Sequence, residues 1–165
     1  MFTIPKEDLK DQAGLERALR SYFDYIRTDE GKETFNYLLD PQLESCDYAA
    51  RTMVISMTPK PWMKNPAQMI HGGVTASIVD FTMGILCRCC STGLMTPTID
   101  MSVSYLRPAP IDKRLFVKAT VTMRGFTVCH ATAVAWAEGS EDRPVVSASG
   151  SYYVTHRPDE ERKKN

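Results

Sequence analysis

One stretch constrains this chain more than any other: residues 71–93, HGGVTASIVDFTMGILCRCCSTG. It opens on a His-Gly-Gly string and then runs apolar on nearly every side. A helix that is apolar around its whole circumference is buried around it, so the rest of the chain must wrap this segment. Inside it stands a single carboxylate, Asp80, between Val79 and Phe81. An ionised carboxylate in apolar surroundings is costly unless it is paired or hydrogen-bonded, so Asp80 calls for a purpose.

The flanking segments say what does the wrapping. In residues 7–26, Leu9, Ala13, Leu15, Leu19, Phe23 and Ile26 recur every three or four positions, the spacing of a helix. Residues 28–39 read as a second short helix ended by Pro41. Together, residues 1–42 form an N-terminal helical arm, either a packing appendage or a partial cover for a site. Residues 43–58 read as a strand pair or one bent strand, and Pro59, Pro61 and Pro66 mark the following loop. After the central helix, residues 97–107, 115–124, 126–138 and 145–155 read as strands, with turns at Gly125 and at 139–144. Residues 158–165 are a charged tail.

Strands, one buried helix and then a run of strands make an α+β domain. Short turns between the later strands predict an antiparallel meander. Ala131, Ala133, Ala135 and Ala137 lie on one face of a strand and let a helix approach closely. The expected architecture over residues 43–157 is therefore an antiparallel sheet wrapped around a long central helix, the hotdog fold.

Composition excludes several classes of function. Twenty Lys and Arg balance twenty Asp and Glu in the 165 residues, so no basic field points to nucleic acid. Five cysteines, odd in number and without disulfide-like spacing, suggest a reducing compartment. No apolar run is long enough for a membrane span, and the first residues show no signal-peptide pattern. The expectation is a cytoplasmic protein, with an organelle as the alternative. Cys87, Cys89 and Cys90 do not point at one centre from a helix, so no metal is expected, and no cofactor.

The chemistry gathers at the start of the central helix. Its first N–H groups lack partners within the helix and sit at the positive end of the dipole. Gly72 and Gly73 have no side chains to block a ligand, so an acyl carbonyl placed there would find an oxyanion donor. Close packing of the loop is the competing explanation. Asp80 in a dry pocket suits a general base or a nucleophile; alternatively, Thr75 or Thr82 simply satisfies it. Gly72 and Asp80 are eight residues apart on one helix, about 12 Å at a rise of 1.5 Å per residue. Groups acting on one carbonyl must approach it to about 3 Å. If both act together, one comes from a second copy, which predicts a homodimer with sites at its interface. A tetramer remains open.

Asn65, His71-Gly72-Gly73 and Asp80, followed by Thr98, Asp100 and the string Tyr105-Leu106-Arg107-Pro108-Ala109, resemble the PaaI-type acyl-CoA thioesterases of the hotdog superfamily. The resemblance covers residues 43–156 and leaves out the arm. It implies hydrolysis of an acyl-CoA, or another thioester, to free acid and thiol. By this resemblance Asp80 is general base or nucleophile and the Gly72 amide polarises the carbonyl. Asn65 holds the carbonyl or the water, and Thr98 orients the nucleophile. His71 belongs to the motif without an assigned task, and Gly73 lies against the substrate. Such relatives often carry Lys or Arg after the turn glycine, where this chain has Phe126. Arg107 and Arg124, with Lys118 behind them, are then the candidates for the phosphates of CoA. Trp62, Met63, Met83 and Met101 are candidates for lining an acyl pocket. The alternatives are a hotdog hydratase or dehydratase and a non-catalytic acyl-binding protein.

Overall fold

A computed structural model describes residues 2–156; the charged tail expected at 158–165 lies outside them. The central helix, α4 below, forms over Gly72–Cys89. His71 caps it, its Nδ1 accepting the Gly73 N–H at 2.9 Å. Its buried hydroxyls turn back on their own helix: Thr82 donates to the Ile78 carbonyl at 2.6 Å and Thr75 to that of His71 at 3.3 Å. Neither threonine satisfies Asp80. The helix stops before Gly93, whose φ of +75° is the left-handed conformation that glycine tolerates. A Cβ there would stand 2.7 Å from the Ile4 carbonyl oxygen, so glycine also lets the N-terminal segment approach.

The arm is more broken than its periodicity predicts. A short 3-10 turn spans Lys6–Leu9, and α1 begins only at Gln12, running to Ile26. Asp11 divides them by accepting the Gly14 N–H at 2.7 Å, the role of an N-cap. Likewise the second helix is two, α2 at Asp29–Lys32 and α3 at Phe35–Leu39. The arm is bound to α4 by aromatic contacts. Phe23 meets Phe81 edge-on at 6.0 Å, and Tyr22 stacks with Phe81 at 6.1 Å. Leu15, Leu19, Phe23 and Ile26 are buried in the same core as α4. Each such side chain contributes about 1.5–3 kcal/mol by leaving water.

Six strands follow the expected positions: β1 Gln42–Asp47, β2 Thr52–Met57, β3 Thr98–Tyr105, β4 Leu115–Arg124, β5 Val128–Ala137 and β6 Val146–Tyr153. They form one sheet of order β1-β2-β4-β5-β6-β3, with every pair antiparallel. The meander holds for β4, β5 and β6 but not for β3. β4 is flanked by β2 and β5, so β3 has no place beside it and pairs with β6 instead. Residues 106–114 then carry the chain back across. β3 is left as a sheet edge, with Ile99 and Tyr105 more than half exposed.

The sheet closes on α4 through alternating residues. Leu115, Val117, Ala119 and Val121 of β4 and all four alanines of β5 are buried. Met63 and Met83 are also fully buried core residues, while Trp62 is exposed; these methionines fill the interior instead of lining a pocket. Among the described residues, no helix is long and apolar enough to cross a membrane.

Candidate active site

The two halves of the expected site lie at different places along α4. Asn65 and Gly72 line a cavity of about 450 Å³ together with Thr75, Tyr105 and Arg107. The Asn65 Oδ1 accepts the Met69 N–H at 3.1 Å, which fixes the turn leading to the helix. Tyr105 donates to the Gly72 carbonyl oxygen at 3.0 Å. His71 has taken the Gly73 N–H, so that amide is occupied. The Gly72 N–H has no acceptor among the described residues. The cap thus leaves one glycine amide of the pair uncommitted, on a residue that lines the cavity. The structure gives His71 a task that the motif alone did not: it positions the helix start. Arg107 reaches this cavity while donating to the Pro144 carbonyl at 2.8 Å.

Asp80 lies in a second cavity of about 240 Å³, with Thr98, Tyr22, Asn36 and Arg88. Two hydroxyls converge on its Oδ1: Thr98 donates at 2.9 Å and Tyr152 at 3.1 Å. Thr98 and Asp80 are therefore in contact, as the resemblance implied, although they are 18 positions apart. Tyr152 was missed. Its place in an alternating strand marks it as a core residue, and it is indeed fully buried; nothing local links it to a carboxylate 72 positions earlier. Burial, with the Asp80 carboxylate beside it, pushes its phenol well above the usual tyrosine range. The hydroxyl therefore stays protonated and donates.

One expectation fails within the single chain. Asp80 is half-buried, not deep inside. Around α4, Gly73, Ala76, Ser77, Asp80 and Gly84 form a partly open stripe, whereas the last turns are enclosed. The helix is apolar on this side because its residues are small, and one copy of the sheet does not reach around to cover them.

Arg124 belongs to neither half. It lines a separate cavity of about 550 Å³ with Lys10, Phe126 and His156, beyond the C-terminal end of α4. There Phe126 stacks on His156 at 3.8 Å. Burial pushes the Cys89 thiol up, and that of Cys90 up to about 11, so both remain neutral thiols.

Residues 67–143 match the family model of the thioesterase superfamily. The match takes in just under half of the chain, and the solved structures it resembles share its hotdog fold. Acyl-coenzyme A thioesterase 13 from Mus musculus is 26% identical over 84 residues, covering 51% of this chain and 60% of that protein. The chain spans about half the length of the curated relatives it matches. Two solved structures share the fold. Zebrafish thioesterase superfamily member 2 superposes with a TM-score of 0.71 at 18% identity, covering 88% of this chain and 99% of that one. The PaaI protein of the E. coli phenylacetic acid degradation operon gives 0.69 at 20% identity, covering 86% and 95%.

Proposed function

We propose that this hotdog protein is an acyl-CoA thioesterase that works as a homodimer, each site being built from both copies. The thioester carbonyl lies against the Gly72 amide and the Asn65 side chain of one copy. The partner's Asp80, oriented by Thr98 and Tyr152, takes a proton from water as the water oxygen bonds to the carbonyl carbon. Charge develops on the carbonyl oxygen and meets the Gly72 N–H. The C–S bond then breaks, and the proton passes to the departing thiolate. In the nucleophilic variant the carboxylate itself attacks, and water hydrolyses the resulting anhydride. The name of the mouse relative supports CoA as the carrier, and Arg107 is near enough to the Gly72 cavity to meet its phosphates.

A single observation carries the shared site. β3 is a free sheet edge, and its two ends hold the two half-sites. Thr98, at one end, is bonded to Asp80; Tyr105, at the other, is bonded to Gly72. Within one chain those ends are about 24 Å apart, at roughly 3.4 Å per residue. If two β3 edges pair antiparallel about a two-fold axis, Thr98 of each copy lies across from the partner's Tyr105, at a strand spacing of about 5 Å. The same pairing covers an edge that is otherwise open to uncontrolled association, and brings a second surface towards the open stripe around Asp80.

Subunit mixing is the test, read as thiol release from a panel of acyl-CoAs. Wild type is expected to turn over, whereas Asp80→Ala and Asn65→Ala are each inactive alone. Unfolding and refolding the two variants together is expected to restore about a quarter of wild-type activity, since half the dimers are mixed and each has one complete site. No recovery from a mixed dimer removes the shared site. No thiol release by folded wild type removes the hydrolase reading, and hydration of an enoyl-CoA in its place would favour a hydratase.

A further inference from the structure

The cavity beside Asp80 has a cation at its other end. Arg88 is 5% exposed and lines the same 240 Å³ space. It lies eight residues beyond Asp80 on α4, about 12 Å along the axis. Among the described residues no carboxylate pairs with it. Its Nε donates to the Gly93 carbonyl at 3.0 Å and its Nη2 to the Phe2 carbonyl, while Nη1 has no acceptor among the described residues. The guanidinium lies beside two adjoining rings, 5.5 Å from the centre of Phe2 and 5.6 Å from that of Tyr22, whose centres are 5.4 Å apart. Tyr22 and Asn36, both from the arm, complete that end of the cavity, with Asn36 donating to the Tyr22 hydroxyl at 3.2 Å.

A buried cation without an anionic partner is costly. Backbone carbonyls and ring faces offset part of that cost and leave a positive charge on a residue that lines the cavity in which the thioesterase reading places the acyl group. The neighbouring Phe81, Ile85 and Met95 suit methylenes.

We infer that Arg88 selects acyl thioesters whose acyl chain ends in a carboxylate, the ester of a dicarboxylic acid, with the thioester at Asp80 and the free carboxylate at the guanidinium. The inference rests on the thioesterase reading for the placement of the carbonyl. It also follows that the carboxylate is kept away from Asp80, where two like charges would repel. Arg88 binds the end of the substrate remote from the reaction, and the arm supplies the ring on which it rests.

The test pairs esters of equal length: butanoyl with succinyl, hexanoyl with adipoyl, and octanoyl with suberoyl-CoA. The value of kcat/KM and the calorimetric Kd are measured for each. For at least one pair the dicarboxylic ester is expected to be preferred by about tenfold to a hundredfold, the range of a hydrogen-bonded charge. Arg88→Met is expected to bring that ratio close to one, and Arg88→Lys to restore part of it. The ratio cancels any loss of stability common to both esters. A wild-type preference for the plain chain in every pair overturns the inference, whether or not the variants fold. So does a preference that survives Arg88→Met. If nothing is hydrolysed but the Kd ratio still favours the dicarboxylic ester and depends on Arg88, the hydrolase reading fails and this one stands.

Discussion

The two halves of α4 are made from the same kind of sequence and end in different surroundings. From Phe81 onward its side chains are nearly all enclosed by the sheet and the arm. From Gly72 to Asp80, one side is open and built of small residues. An apolar residue large enough to need burial finds it within the chain; a small one leaves a face that another surface must cover. The enclosed half provides stability, and the open half carries the groups able to do chemistry.

The largest expected effect tests whether the open half is catalytic. Asp80→Ala should lower kcat by about a hundredfold to ten-thousandfold, the usual contribution of a positioned base, with the circular dichroism spectrum unchanged. If turnover persists, Asp80 is only a solvated residue of the open face. Next comes the seam. Ser102, near the centre of exposed β3, is expected to tolerate lysine in a single chain. Two such lysines close to the two-fold axis repel, so Ser102→Lys should shift the sedimentation coefficient towards monomer and remove turnover in parallel. A monomer that remains active would separate the open face from any partner.

Smaller effects sharpen the contrast between burial and exposure around one carboxylate oxygen. Thr98→Val and Tyr152→Phe each remove one hydrogen bond to Asp80 Oδ1. Each should cost about tenfold in kcat, with little change in KM. Thr98 is exposed, so its loss should leave the melting temperature nearly unchanged. Tyr152 is fully buried, so its replacement should shift stability as well. The smallest effect is in pH. The folded state holds the Tyr152 phenol above its ordinary range, so it keeps a proton that the unfolded chain loses first. Native stability from this group is complete below about pH 10 and declines above it, because the unfolded state then binds fewer protons. Denaturant midpoints measured from neutral to alkaline pH should fall, and Tyr152→Phe should flatten that fall.

Which features can be read from sequence follows the same division. β4 occupies residues 115–124, as its alternation predicts, because local pattern and tertiary burial agree there. The glycine-rich start of α4 and the hydroxyl of Thr98 beside Asp80 are legible through the spacing of the family motif. The position of β3 was not: its alternation identifies a strand, but its neighbour is decided by β2 and β5 already flanking β4. Tyr152 has the same difficulty, since a tyrosine in a buried strand shows the same pattern whatever its hydroxyl reaches. The openness around Asp80 is not legible, because hydrophobicity reports what a residue prefers, not how much surface a small residue leaves uncovered. The break at Asp11 was legible in principle: an acidic residue three positions before Gly14 is a helix-start signal, which the longer apolar period obscured.

Gly93 bears on how the protein is handled at the bench. Its one carbonyl oxygen receives both the Ile4 N–H, at 3.1 Å, and the Arg88 guanidinium. Phe2 supplies the other acceptor for that guanidinium. An affinity tag joined to this N-terminal segment is therefore linked to the residues that hold Arg88 at the wall of the Asp80 cavity. Purification handles and surface tethers placed there would pull on that wall, and assays of acyl preference should use protein from which such additions have been cleaved.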